Sequence, residues 1–231
     1  MKLTYFGHSA CLLETEEHKL LFDPFLSDNP LCPVKPEDIK CDYILLTHGH
    51  ADHYGDTETI SKANDAPVIA TYELASYCGH KGLRTVAMNL GGPSAFPFGH
   101  VKLTTAHHSS SYPGPDGLPI YMGEPAGILV MSQGQTFYHA GDTALTMDMK
   151  LTGEQHDIDL AMVPIGGHFT MGPFEAVKAV SFLKAKRVVP CHYNTFPPIE
   201  IDPMSFVSKL SGAEDIVCEG HVLAPGESMS F

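Results

Sequence analysis

Residues 48–53 read His48-Gly49-His50-Ala51-Asp52-His53, three imidazoles and a carboxylate in one short stretch. The run before them, Tyr43-Ile44-Leu45-Leu46-Thr47, has the apolar character of a short buried strand, so the cluster stands where a strand ends. Neutral imidazole and carboxylate are the usual ligands of Zn²⁺ and related divalent ions. Closely spaced ligands from one loop can serve two metals about 3.5–4 Å apart. In extended backbone, residues two apart share a face. His48 and His50 can then reach one ion, while Asp52 and His53 continue toward a second. A solvated His-rich turn is the ordinary alternative, and four ligand-type residues at this spacing outweigh it.

The pattern His-x-His-x-Asp-His after a strand resembles the signature of the metallo-β-lactamase fold superfamily. Other segments resemble that family's remaining motifs in order. Leu21-Phe22-Asp23-Pro24 resembles the first, whose Asp buttresses the metal loop. Thr104-Thr105-Ala106-His107-His108-Ser109-Ser110 resembles the third. Tyr138-His139-Ala140-Gly141-Asp142-Thr143 resembles the fourth, in which the Asp bridges both metals. Val188-Val189-Pro190-Cys191-His192-Tyr193 resembles the fifth, a lone His after a strand. The resemblance implies a four-layer αββα sandwich, with one metal on His48, His50 and His108, a second on Asp52, His53 and His192, and Asp142 bridging. His107 and His108 compete for the third motif, and the pattern Ala-x-His-Ser-Ser favours His108. Gly7-His8-Ser9, Pro164-Ile165-Gly166 and Phe169-Thr170-Met171-Gly172-Pro173 resemble a small single-domain branch of metal-dependent hydrolases, related to the ascorbate-phosphate lactonase group. That implies a hydrolase but says little of its substrate, because one scaffold hosts many chemistries.

The chemistry expected of such a site is hydrolysis of a small ester, lactone or phosphoester. Two divalent ions, zinc first and Mn, Fe or Ni as alternatives, would lower the pKa of bound water toward ~7 and supply a bridging hydroxide. Asp52 is the candidate to orient that water or accept its proton. His168, after Gly166-Gly167, is the candidate proton donor to the leaving group, against an equal case for a solvated loop histidine. His8 stands evenly between a site residue and a turn histidine. Asp23 and Asp159 are candidates to fix imidazole orientation, and Asp56 is read as a helix cap. Competing readings on the same fold are a di-iron oxidoreductase, a nuclease and a metal-binding scaffold.

A formal charge of −13 argues against nucleic acid and anionic membranes as partners. A small-molecule substrate is expected instead. No window approaches 18 apolar residues, and no secretory signal is read at the start. Six cysteines without a Cys-x-x-Cys pair suit reduced thiols in a cytoplasmic protein. The chain's 231 residues are read as one domain, 1–231. The apolar Phe25-Leu26 loop is the candidate face for a homo-oligomer.

Strands are expected at 2–6, 10–15, 18–22, 42–46, 67–70, 84–87, 94–98, 101–106, 126–131, 135–139, 158–163, 186–190, 214–218 and 221–224. Helices are expected at 54–64, 72–78, 145–154, 173–184 and 203–210. Segments 23–40 and 109–125 are read as loops, the first as a flap and the second as a lid over the site.

Overall fold

A computed structural model describes residues 1–231. The first half of the chain runs β1 (Lys2–Gly7), β2 (Ala10–Glu14), β3 (Lys19–Phe22), β4 (Tyr43–Leu45), α1 (Ala51–Tyr54), α2 (Thr57–Asn64), β5 (Val68–Thr71), α3 (Tyr72–His80) and β6 (Thr85–Met88). Next come β7 (Ser94–Phe96), β8 (Gly99–Thr105), β9 (Ser111–Pro113), β10 (Pro119–Tyr121), β11 (Ala126–Ser132) and β12 (Gln135–His139). The chain closes with α4 (Asp148–Gln155), β13 (Leu160–Pro164), α5 (Pro173–Leu183), β14 (Arg187–Cys191), α6 (Pro203–Ser211), β15 (Glu219–Gly220) and β16 (Ser228–Ser230).

Two seven-stranded sheets result, ordered β16-β1-β2-β3-β4-β5-β6 and β15-β14-β13-β12-β11-β8-β7. Each is antiparallel on one side and parallel on the other. The parallel strands carry apolar runs, as expected of strands buried on both faces; all five residues of β13 are buried. Leu3, Tyr5, Phe22 and Leu45 of the first sheet pack between the sheets with Val101, Ile128, Phe137 and Met162 of the second. The Phe22 and Phe137 rings meet edge to face at 5.4 Å.

The outer faces are covered by helices. Ile60 of α2 and Leu74, Ala75 and Cys78 of α3 pack on Ile44, Val68 and Ala70. Met149 of α4, Val180 and Leu183 of α5, and Phe206 and Leu210 of α6 pack on Leu129, Ala161 and Val163. Fully burying each large side chain stabilises by roughly 1.5–3 kcal/mol, so these three apolar layers hold four layers of structure together. The architecture is the αββα sandwich that the motifs implied.

Several local expectations fail, each for a tertiary reason. Residues 214–218 form no strand, and Val217 is 95% exposed with nothing to pair with. The closing strand is instead the polar β16, whose Ser230 pairs with Lys2 and covers the edge of β1. Residues 221–224 are also outside any strand. The segment 109–125 is not all loop, because β9 and β10 pair as a small hairpin. Phe25 and Leu26 are buried, at 6% and 2% exposure, and so present no dimer face. Asp56 is the cause. Its carboxylate accepts from Leu26 N, Ser27 N and Ser27 Oγ and pins the 23–40 segment, while offering α2 no side-chain cap.

Candidate metal centre

The centre gathers at one edge of the sandwich, where strands of both sheets end. Beyond β4, the chain does not stay extended. His50 becomes the N-cap of α1, and His53 N and Tyr54 N donate to His50 O. On a helix successive side chains diverge by about a quarter turn, yet Asp52 and His53 are both long enough to bring a ligand atom to one set, within 4.8 Å. From the second sheet, Asp142 follows β12, His108 follows β8 and His192 follows β14. His107 N donates to Thr143 Oγ1 and Ala144 N donates to His107 O, which ties the turns carrying His108 and Asp142 together.

Three sets of ligand-type atoms converge to within 4.8 Å: His48, His50 and His108; His48, His53 and Asp142; and His8, Asp52, His53 and His192. Asp142 Oδ2 lies 3.0 Å from His192 Nε2, 3.3 Å from His53 Nε2 and 3.6 Å from His108 Nε2. His48 Nε2 and His50 Nδ1 face one another at 2.9 Å. His108 lies in this group, whereas His107 is exposed.

The partners of the outward ring nitrogens set the tautomers. Asp23, fully buried, accepts from Thr47 N at 2.9 Å, Thr47 Oγ1 at 2.7 Å and His53 Nδ1 at 2.7 Å. Thr47 Oγ1 spends its proton on Asp23 and therefore accepts from His48 Nδ1, at 3.0 Å. Both imidazoles thus carry a proton on Nδ1, which turns the Nε2 atoms inward. On the other side, His50 Nε2 lies 3.3 Å from Ser109 Oγ, leaving His50 Nδ1 inward. Such outer hydrogen bonds orient ligating histidines.

Burial and charge act oppositely on these groups. Burial pushes the His48 imidazole well down, and also lowers His50 and His108. Burial would lower His53 too, but Asp142 and Asp23 on either side raise it well above its usual value. Burial opposes ionisation of Asp142, and His192 and His53 nevertheless hold it well below the carboxylate range. Asp52 behaves alike, with His8 as its hydrogen-bonded neighbour.

Two atoms decide whether a divalent ion fits. His53 Nε2 and Asp142 Oδ1 are buried and have no hydrogen-bond partner, which is costly unless something satisfies them. Inward lone pairs of neutral imidazoles beside an ionised carboxylate are the donor set that Zn²⁺, Mn²⁺ or Fe²⁺ takes.

Sequence reasoning left His8 undecided. It is fully buried, its Nε2 lies 3.1 Å from Asp52 Oδ2, and its ring lies 4.1 Å from that of His192. His192 N donates to His8 O at 2.8 Å, and both residues have positive φ, 56° and 54°. The available signal was that Gly7-His8-Ser9 is one of the segments resembling the small hydrolase branch.

Asp159 is a correction. It precedes β13, at the end of the strand opposite the centre, and binds Lys186 Nζ and Thr136 N. His168 is exposed at φ 51°, its ring against Phe169. No hydrogen bond joins it to the cluster. Its loop nonetheless follows β13, which lies between β12 and β14. A Cβ on Gly166 would stand 2.2 Å from His192 O, so glycine there lets the loop pack on the His192 turn.

Comparison with known proteins places these features in context. The sequence profile of the β-lactamase superfamily domain matches residues 18–193. A UPF0173 metal-dependent hydrolase of Anoxybacillus flavithermus is 54% identical over the full length of both chains. The UPF0173 metal-dependent hydrolase YtkL of Bacillus subtilis is also 54% identical, again over both full lengths. Igni18, a metallo hydrolase of the archaeon Ignicoccus hospitalis, superposes with a TM-score of 0.89 at 37% identity, covering 100% of this chain and 98% of its own.

Proposed function

Since the chain belongs to the β-lactamase superfamily and, within it, to the UPF0173 metal-dependent hydrolases, we propose that it is a binuclear enzyme acting on a small ester, lactone or phosphoester. The observation that carries this reading is Asp142 Oδ2, within 3.6 Å of imidazoles from both groups of ligands. A carboxylate so placed is suited to bridge two ions. His48, His50 and His108 would hold one, and Asp52, His53 and His192 the other. Zinc is the proposed metal.

Ions held there would lower the pKa of water to near 7 and polarise a carbonyl or phosphoryl oxygen. The protein's own part is to orient and to move protons. Asp23 and Asp142 are almost wholly buried, while the Asp52 side chain is 29% exposed. Asp52 is therefore the carboxylate of the centre placed to meet and orient entering water. His168, on the loop between the Asp142 and His192 turns, is the proposed donor to the leaving group. We place residues 1–231 in one domain. Six free thiols support a reducing, cytoplasmic setting, and no helix is long and apolar enough to cross a membrane.

The test is turnover of a panel of esters, lactones and phosphodiesters by zinc-reconstituted protein. Hydrolysis by the wild type, abolished in Asp52→Ala and reduced in His168→Ala, is expected. Full metal loading with no hydrolysis across the panel would contradict the reading.

A further inference from the structure

A cleft of about 380 Å³ opens beside His108. It is lined by His108, Ser109, Ser110 and Ser111 and by Tyr121 and Glu124 of the paired β10 segment and the turn after it. Resting on the hydrolase reading above, we infer that this cleft binds the part of the substrate beyond the reacting bond, and that this part is polar and uncharged or cationic, with no second anion.

Hydrogen-bond capacity is the first argument. Ser110 Oγ accepts from Gly49 N at 3.1 Å, and Ser109 Oγ lies 3.3 Å from the outward His50 Nε2. Each hydroxyl has its acceptor side engaged by the protein and its proton free to donate. On the same lining, Tyr121 donates to Glu124 Oε1 at 3.2 Å, which leaves the rest of that carboxylate as an acceptor. Hydroxyl donors and a carboxylate acceptor in one lining suit hydroxyl, carbonyl or ammonium groups.

Charge is the second. No Lys or Arg lines the cleft. A second carboxylate stands behind it, since Glu73 Oε2 lies 2.7 Å from where a Cβ on Gly123 would be. At the centre, Asp23, Asp52 and Asp142 bring three negative charges against two divalent ions. A distal anion would thus face two glutamates with little net attraction. The strongest contacts to a distal sulfonate or phosphate come from cationic donors, which this lining lacks.

The experiment uses zinc-loaded protein and three N-methyl amides of one six-carbon chain, ending in hydroxyl, trimethylammonium or sulfonate. Binding is read by ligand-observed NMR. The matching 4-nitrophenyl esters are assayed in parallel. The hydroxyl and ammonium amides should bind at least about tenfold tighter than the sulfonate. Glu124→Gln should narrow that gap and Glu124→Lys should invert it. Equal or tighter sulfonate binding, a gap that neither variant moves, or no binding by any amide would overturn the inference. Amides that sort as expected without ester turnover would leave the cleft assignment standing and remove the hydrolase reading. Ester turnover that favours the sulfonate would do the reverse.

Discussion

The buried His8 ring reaches Asp52 Oδ2 with Nε2 at 3.1 Å and Thr195 Oγ1 with Nδ1 at 2.9 Å. A neutral imidazole between these partners donates to the carboxylate and accepts from the hydroxyl. His8 is thus a positioning residue for Asp52. His8→Ala should weaken binding of one of two metal equivalents by roughly 10–100-fold. His8→Gln, which keeps a donor, should recover part of the loss. Chelator competition reads both, and unchanged affinity in His8→Ala would remove His8 from the centre.

The same residue makes the metal-free fold sensitive to acid. Burial pushes the His8 imidazole down to about 4, although Asp52 pulls the other way. The unfolded chain binds this proton near pH 6.5 and the folded chain only near 4. Stability therefore falls as pH drops through that window, by on the order of 3 kcal/mol from this group. Denaturant midpoints of the apo protein between those values should show the fall, with a shallower slope in His8→Gln. Identical slopes would refute the assignment.

His53 carries the opposite sign. Burial disfavours its charge, but Asp142 and Asp23 raise its pKa well above the usual value and so favour a second proton on the metal-free ring. Its contribution to apo stability is present below the unfolded pKa and is lost as pH rises through the raised one. A metal must displace that proton. Calorimetric metal titrations in buffers of differing ionisation enthalpy should report net proton release, and metal uptake with none would contradict this account.

Asp23 satisfies Thr47 N, Thr47 Oγ1 and His53 Nδ1 at once. Asp23→Ala leaves three buried donors unpaired and should cost about 3–5 kcal/mol. It should also weaken metal binding, because His48 and His53 lose their orientation together. A loss under 1 kcal/mol by chemical unfolding would be too small for this role.

The adjacent histidines separate cleanly. His108 stands among the ligand atoms and His107 is exposed. His108→Ala should lose a metal equivalent by elemental analysis, and His107→Ala should keep full loading. A reversed result would reassign the third motif.

Much of this molecule was legible in its sequence because the residues that converge lie just past strand ends, where apolar runs meet motifs that resemble the family's. The buried runs of β4, β13 and β14 and the residues His48, His53, Asp142 and His192 are of this kind. What escaped depends on partners remote in sequence. The polar β16 is a strand only because β1 offers an edge, and Phe25 is buried against the rings of His8 and Phe196, both remote in sequence. His8 reaches Asp52 across 44 positions, and nothing local distinguishes it from a turn histidine. Asp159 stands at the start of β13, whereas the converging residues follow strand ends, so its place along the strand already argued against the centre.

The central claim is that Asp142 joins two ions in one centre. Elemental analysis of protein reconstituted with zinc and freed of excess ion tests it most directly, in wild type and Asp142→Ala side by side. Two zinc ions per wild-type chain, falling to one or fewer in Asp142→Ala, is the predicted result. One ion per wild-type chain, or two retained in Asp142→Ala, would contradict it.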